Sequence, residues 1–404
     1  MTFYVGDSLK ALLSIKLKTR DDHLSDQVSR ILVVKVLVVV SMGLSLIWFH
    51  SETRCIPPVK SKGKELPAQF IHRGCWAKGF YIYPQLGEHM RKSAYYGIPF
   101  ELKWNGYRPD DPSQLCRVNE YGGSTDEENC FAMEREYFNQ YQWMPMSMLL
   151  LSFVFYFPYI VFRMVNTDLI NLRSNLKNLQ MEMNQLAYLY FSQEINSIRR
   201  NRLRVIANYG VKCLYIFSNI LAMSFLHRLL NDRFYTYGLD WLSWSKGNST
   251  ERLYFEKRET PSPGNQLLPI FGMCDLHDVR LDLTTSYTDK MTVVCEMASH
   301  AVYQHTLVII WFLLVFSNAM SIVGLIYYLC NHLRMLQRSK TAKTDCLLFR
   351  RYITLREMEY LECIKNIDLA VYAKVNKILD DNLLNNSDET PKIQGGQPIQ
   401  VLTM

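Results

Sequence analysis

Apolar residues gather into four long runs along the chain, separated by polar segments. The runs lie at residues 31–49, 144–165, 205–230 and 305–329. A helix rises ~1.5 Å per residue, so a run of about 22 residues spans roughly 33 Å, close to the thickness of a bilayer's hydrocarbon core. The pattern predicts an all-α membrane protein built as a bundle of four transmembrane helices.

The second run has two features that suit a membrane. Pro158 lies inside it, and an internal proline costs ~3 kcal/mol in a soluble helix. In a membrane bundle, neighbouring helices and hydroxyl groups can satisfy the carbonyl that proline frees. Tyr141 and Trp143 precede the run, where aromatic side chains meet the lipid headgroups. A buried helix of a large soluble protein is the alternative, and the three companion runs argue against it.

A signal peptide is an alternative interpretation of the first run. Residues 31–49 carry one charge, Lys35, near the start of the run, where its side chain can reach the headgroups. The apolar region of a signal peptide has about 7–15 residues and is followed by a small-residue cleavage site. This run is longer and no such site follows it, so we expect a retained span.

Charges on the connecting segments predict the orientation. Residues 1–30, 166–204 and 330–404 have net charges of +1, +3 and +2, whereas residues 50–143 and 231–304 have net charges of 0 and −3. Cytoplasmic loops carry an excess of Lys and Arg. The sequence therefore predicts cytoplasmic termini and an extracellular first loop (50–143) and second loop (231–304). The chain's total charge of +7 reflects this topology, and no basic stripe indicates a nucleic-acid partner.

Six of the ten cysteines lie in the two predicted extracellular loops: Cys55, Cys75, Cys116, Cys130, Cys274 and Cys295. An even number suits a disulfide framework, but six cysteines permit 15 pairings, so spacing alone leaves the connectivity open. Asn248 begins an Asn-Ser-Thr glycosylation acceptor in the second loop. A second acceptor match at Asn385 is expected to stay unmodified, because it lies in a predicted cytoplasmic segment.

Short motifs beside the runs form a combined pattern: Tyr141-Gln142-Trp143 with Pro158 after Phe155-Tyr156-Phe157, Cys55-Ile-Pro-Pro, Cys75-Trp76, Gly210-Val211-Lys212-Cys213, Met273-Cys274-Asp275 and Val294-Cys295. Together they resemble the innexins, the four-span subunits of invertebrate gap junctions, which are related to pannexins. Connexins carry three cysteines in each loop, and the four-plus-two division here does not fit them.

The resemblance implies part of the disulfide scheme. Cys55 and Cys75 are expected to pair with Cys274 and Cys295, with the partner of each left open. Cys116 and Cys130 lie outside the family pattern, in a first loop that is long for the family. Because two free thiols on an oxidising face are unfavourable, we predict that these two pair with each other.

No enzyme is predicted. The chain contains no HExxH, P-loop, GxGxxG or GxSxG motif, and its nine histidines show no metal-binding spacing, so neither a cofactor nor a metal is expected. A four-helix protomer in contact with membrane lipids is best explained as part of a wall around a ring axis. The resemblance implies a homo- or hetero-oligomeric ring, an octamer by preference.

Two segments are candidates for lining a pore. In the first 30 residues, Asp7 or Ser8 can cap a short amphipathic helix. By resemblance, innexin amino termini narrow the pore mouth, so Phe3 and Asp7 are expected there; a surface helix is the alternative. In the first run, Ser41 and Ser45 either line the pore or let another helix approach closely. Packing is favoured, and both interpretations stay open.

The polar segments between and after the runs also carry structure. Apolar residues at intervals of three and four predict an amphipathic helix between residues 169 and 190. Packing on carboxy-terminal helices in a cytoplasmic helical domain is favoured over a coiled-coil partner site, because three heptads make a short coiled coil. From about residue 382 the composition is polar and predicts a disordered tail.

Three functions fit these observations. The first is a gap-junction channel at a plasma-membrane cell junction, in which two rings dock and join two cytoplasms; the resemblance favours it. The second is an undocked plasma-membrane channel, which Asn248 and the long first loop favour, because a glycan or an insertion would obstruct docking. The third is a four-span scaffold without a pore.

Overall fold

The structure is a computed structural model. It describes residues 23–50, 53–56, 68–85, 96–98, 104–108, 111–117, 130–178, 182–192, 194–246, 262–282, 285–342 and 353–388. Phe3, Asp7 and Asn248 lie outside these residues.

Helices make up most of the described chain. In order they are α1 (Leu24–Gln27, a π-helical stretch at Val28–Val33, and Val34–His50), α2 (Ala68–Lys78), α3 (Met144–Val165), α4 (Thr167–Asn178), α5 (Met183–Phe191), α6 (Ile198–Leu229), α7 (Tyr237–Lys246), α8 (Pro263–Leu267), α9 (Ala298–Ala342), α10 (Leu355–Ile367) and α11 (Leu369–Asp388). The strands are β1 (Arg54–Ile56), β2 (Phe80–Ile82), β3 (Trp104–Arg108), β4 (Asp111–Arg117), β5 (Cys130–Ala132), β6 (Glu136–Phe138), β7 (Phe271–Asp282) and β8 (Thr285–Glu296).

Helices α1, α3, α6 and α9 are long and apolar enough to cross a membrane, which confirms the four-span prediction. Helix α3 has the predicted bounds and runs through Pro158 without a break. The other three are longer than predicted: α1 begins at Leu24, α6 begins at Ile198, and α9 extends from Ala298 to Ala342. The apolar run marks only the part that suits lipid, whereas the backbone hydrogen bonds of a helix continue into the polar sequence beside it.

The described chain divides into two compact units. The first contains residues 28–156 and 217–319 within the described ranges. Both loops contribute to an antiparallel five-stranded sheet with the order β1-β8-β7-β2-β6. No strands in these loops were predicted from the sequence. The sheet adds a β component to the helical fold. Strands β1, β2 and β6 could not be predicted because they have only three residues each and pair with partners distant in sequence.

A smaller three-stranded sheet, β3-β4-β5, lies within the first loop. In its antiparallel register the Cα atom of Cys116 is paired with that of Cys130. Residues directly opposite each other in antiparallel strands lie about 4.5–5.5 Å apart, which suits a disulfide. The pairing of these two cysteines stays a prediction, now with a compatible backbone.

The second unit contains residues 23–27, 157–216 and 320–388 within the described ranges. Helices α4 and α5 bury apolar side chains against α10 and α11; the cluster comprises Leu172, Leu176, Leu186, Tyr190, Phe191, Tyr360, Leu361, Ile364, Val371, Val375 and Leu379. The packing interpretation of residues 169–190 is confirmed where the structure describes them. Helix α11 continues to Asp388, so the expectation of disorder from residue 382 is wrong for residues 382–388. Asn385 therefore lies within a helix.

Candidate functional site

Two disulfides join the first and second loops. Cys55 is bonded to Cys295 and Cys75 to Cys274, so the structure assigns the partner that the sequence left open for each. The first bond forms where β1 and β8 pair, with Cys55 directly opposite Cys295. The second ties α2 to β7. All four cysteines are buried. The two disulfides make the first and second loops one covalently linked body.

The residues of the Tyr-Gln-Trp motif hold the end of α2. The Tyr141 hydroxyl and Gln142 Nε2 both donate hydrogen bonds to the backbone carbonyl of Trp76. The last four carbonyls of a helix lack intrahelical partners, and Trp76 is two residues from the end of α2. Burial raises the pKa of Tyr141 to about 12, so its hydroxyl stays a donor at neutral pH. The motif therefore caps the helix that carries Cys75, while Trp143 remains exposed.

Asp275, the residue after Cys274, is the centre of a polar cluster between the loops. Its carboxylate accepts hydrogen bonds from Tyr81 at 2.8 Å, from Thr292 at 2.7 Å and from Arg135 at 2.7 Å. Burial alone would raise the pKa of Asp275, but the Thr292 bond, the Arg135 charge and the Tyr81 bond together hold it below its usual value. The Arg135 guanidinium also lies 4.1 Å from the centre of the Tyr81 ring.

The small residues of the first span differ in their surroundings. Ser41 is buried and donates a 2.8 Å hydrogen bond to the carbonyl of Pro145, at the start of α3. Ser45 is half-buried and donates to the carbonyl of Ser41 in its own helix. A Cβ added at Gly43 would meet no atom within 4 Å. Ser41 therefore contacts a neighbouring helix of the same chain, and Gly43 faces open space.

The profile of the innexin family matches residues 22–383. The chain belongs to the innexin family. Among curated proteins, Innexin-5 of Caenorhabditis elegans is 25% identical over 210 residues, and the match covers 46% of this chain and 44% of that protein. The chain thus spans less than half the length of this relative. Innexins are four-span plasma-membrane proteins that form gap junctions and hemichannels, and they are not an enzyme family.

In this innexin, a second polar cluster joins the start of α4 to α10. Arg356 is fully buried and donates two hydrogen bonds to the Asp168 carboxylate, at 2.6 and 3.0 Å. It donates a third to Glu359, and Tyr360 donates to Asp168. Burial by itself would raise the pKa of Asp168, but the bond from Arg356 and the charge of Arg356 lower it.

The Asp168–Arg356 pair and the Asp275 cluster of this innexin were not predicted from the sequence. The members of the first pair are 188 positions apart, and Asp275 lies 194 and 140 positions from Tyr81 and Arg135. Judged from its own segment of sequence, each of these charged residues resembles an ordinary surface residue. Phe3 and Asp7 lie outside the described residues, so their place in a pore beside Ser41 and Ser45 stays a prediction.

Proposed function

We propose that this innexin is the structural subunit of a large-pore gap-junction channel that passes ions and small molecules between adjacent cells. The observation that carries the proposal is the pair of disulfides joining both loops of a four-span innexin. Docking of two rings requires loop surfaces that keep their shape. Two covalent links, a shared five-stranded sheet and the buried Asp275 cluster supply this rigidity.

In the proposed assembly, protomers form a ring, an octamer by preference, either of one subunit or of mixed subunits. The ring axis is the permeation path, and lipid contacts the outer faces of the spans. Both termini are cytoplasmic and both loops extracellular, which agrees with the loop charges of 0 and −3. Phe3 and Asp7 line the cytoplasmic mouth. Of the two serines, Ser45 is the better candidate for the pore wall, because Ser41 is buried against α3.

A second candidate is an undocked channel in a single plasma membrane. The three-stranded sheet at residues 104–132 enlarges the first loop, and Asn248 is a glycosylation acceptor in the second. Either feature would obstruct a second ring if it lies on the docking face. This candidate shares the ring, the spans and the disulfides with the first.

Paired-cell recording separates these functions. The chain is expressed alone in cells that lack junctional channels, and current is measured between paired cells and across the membrane of single cells. Junctional current supports the docked channel, and current restricted to single cells supports the undocked one. Absence of both, with the protein at the surface, would leave a non-conducting scaffold. Images of detergent-purified particles then give the number of protomers and show single or paired rings.

A further inference from the structure

Helix α7, in the second loop, packs beside the apolar part of α9. The Trp311 indole donates a 3.0 Å hydrogen bond to the carbonyl of Tyr235, just before α7, and a Cβ added at Gly238 would lie 2.1 Å from the Trp311 ring. One turn further along α7, the Trp241 and His305 rings meet edge to face at 5.6 Å. The first turns of α7 therefore lie beside the stretch of α9 between His305 and Trp311, within the first compact unit.

This stretch of α9 belongs to the membrane. Helix α9 is long and apolar enough to cross a bilayer, and the chain belongs to a family of membrane proteins. The apolar run of α9 begins at residue 305, so Trp311 lies roughly 9 Å further along the helix axis. The headgroup region on each side of a bilayer is only about 5–8 Å thick. Helix α7 therefore begins near the boundary between headgroups and acyl chains.

Side chains of different character occupy separate faces of α7. The face that contains Gly238 packs against α9. Leu239 and Leu242 are 56% and 43% exposed, and they lie about 60° apart around the helix axis. The exposed residues Asp240 and Ser243 occupy the next sector. A single exposed leucine on a protein surface needs no explanation. Here, an apolar face and a polar face lie side by side at the depth where acyl chains give way to water, which is the pattern of an interfacial helix.

Charge and continuity favour lipid as the partner of the apolar face. Lys246, the last residue of α7, is exposed and lies between Leu239 and Leu242 around the helix axis. A lysine can lie along an apolar surface and extend its ammonium group to the headgroups, whereas lysine is depleted in protein–protein interfaces. At the same level, α9 exposes Ile309 and Phe312, as expected where a span faces acyl chains.

We propose that α7 is an interfacial helix that binds phospholipid. Leu239 and Leu242 insert among the acyl chains, Lys246 reaches the phosphates, and Asp240 and Ser243 face water. Because α7 belongs to the same compact unit as the two disulfides, it anchors the linked loops to the bilayer. The proposal depends on the membrane spans and is independent of the channel function, so it applies to a docked and to an undocked ring.

Photocrosslinking of the full-length protein in phosphatidylcholine vesicles tests the proposal. The photoreactive amino acid p-benzoylphenylalanine, which inserts into nearby C–H bonds, replaces Leu239, Leu242 or Ser243, one position at a time. Ser243 is the matched control, because it is exposed and adjacent to Leu242 but lies on the polar face. Mass spectrometry measures the fraction of each peptide that carries a phospholipid, and denaturing electrophoresis detects covalent subunit dimers. The same replacement at Ile309 gives the yield for a span residue.

The lipid yield at Leu239 and Leu242 is expected to exceed that at Ser243 about fivefold or more, because only the apolar face of an interfacial helix lies among acyl chains. A yield at both leucines no higher than at Ser243 would overturn the proposal. Covalent dimers in that case would identify a neighbouring subunit as the occupant of the apolar face, and their absence would indicate water.

Hydroxyl-radical labelling of the unsubstituted protein in the same vesicles gives a measurement that no variant can disturb. Oxidation rates are divided by the intrinsic reactivity of each residue type. Leu239 and Leu242 are expected to be protected about tenfold relative to Tyr137, a loop residue that is 54% exposed. Equal rates would contradict the proposal. A protein that carries no current in paired or single cells would reject the channel function and leave both of these results standing.

Discussion

The Tyr141 hydroxyl donates a hydrogen bond to the backbone carbonyl of Trp76, 65 positions earlier in the chain. The bond joins the entrance of the second span to the helix that bears Cys75, and the Trp76 and Tyr141 rings also meet edge to face at 6.2 Å. The Tyr-Gln-Trp motif therefore contributes to the architecture of the first loop. It fixes where a disulfide-bonded helix lies against the end of a span.

This relationship predicts the effect of removing the cap. Tyr141→Phe should lower the free energy of unfolding by about 1 kcal/mol, because Gln142 still donates to the same carbonyl. Adding Gln142→Leu should cost up to about 3 kcal/mol, since the carbonyl then has neither donor. Thermal unfolding of detergent-purified protein measures both. The control is Tyr137→Phe, which alters a tyrosine that is half exposed. An unchanged midpoint in the double variant would contradict the capping role.

Asp275 predicts a pH dependence of loop stability. Its pKa in the folded protein lies below the usual 3.8, so its contribution is present above about pH 4 and is lost as the pH falls through the folded value. The thermal midpoint should fall with acidification below about pH 4, and Asp275→Asn should flatten that part of the curve while costing about 2 kcal/mol at neutral pH. Glu296→Gln, an exposed carboxyl in the same hairpin, is the control. If the thermal midpoint of Asp275→Asn fell with pH in parallel with that of the wild-type protein, the Asp275 carboxyl would be excluded as the source of the acid destabilisation.

The register of β4 and β5 predicts a local disulfide between Cys116 and Cys130. It closes a loop of about 15 residues, for which chain entropy gives ~3 kcal/mol. Replacing both by Ser should speed proteolysis within residues 104–132 and leave assembly intact. Replacing Cys75 and Cys274 together should disrupt assembly or surface delivery. Peptide mapping of the non-reduced protein decides the pairing, and a peptide linking Cys116 or Cys130 to the second loop would refute it.

The proposed orientation predicts one glycan, on Asn248. Asn248→Gln should increase electrophoretic mobility of the protein from animal cells, and glycosidase treatment of the wild-type protein should give the same shift. Asn385→Gln should have no effect, because Asn385 lies in α11 on the proposed cytoplasmic side. The reverse result would invert the topology.

The proposed pore mouth predicts a role for Asp7 in ion selectivity. A carboxylate repeated in every protomer forms a ring of charge at the axis, which favours cations. Asp7→Asn should lower cation over anion permeability in reversal-potential measurements. Glu194→Gln, which removes an exposed carboxyl from the turn before α6, should leave the ratio unchanged. An unchanged ratio in a conducting Asp7→Asn channel would remove Asp7 from the permeation path.

The amino-acid sequence by itself determined the four spans and the buried apolar face after the second span, which the structure divides between the two helices α4 and α5. Residues 144–165 became α3 with the predicted bounds, because transfer of a segment into lipid depends on the segment's own composition. The rhythm of apolar residues between 169 and 190 likewise identified a buried face, since helical periodicity is a local property.

Only the tertiary structure decided which distant residues meet. The partner of Cys55 is 240 positions away, Arg356 lies 188 positions from Asp168, and Lys212 lies 186 positions from Asp26. The short strands of the loops carry too few residues to show an alternating pattern, and they form because pairing and disulfides hold them together. A charged residue looks the same in sequence whether it will face water or a buried counter-charge. That outcome depends on which helices and strands pack beside the charged residue, and the local sequence does not specify these packing partners.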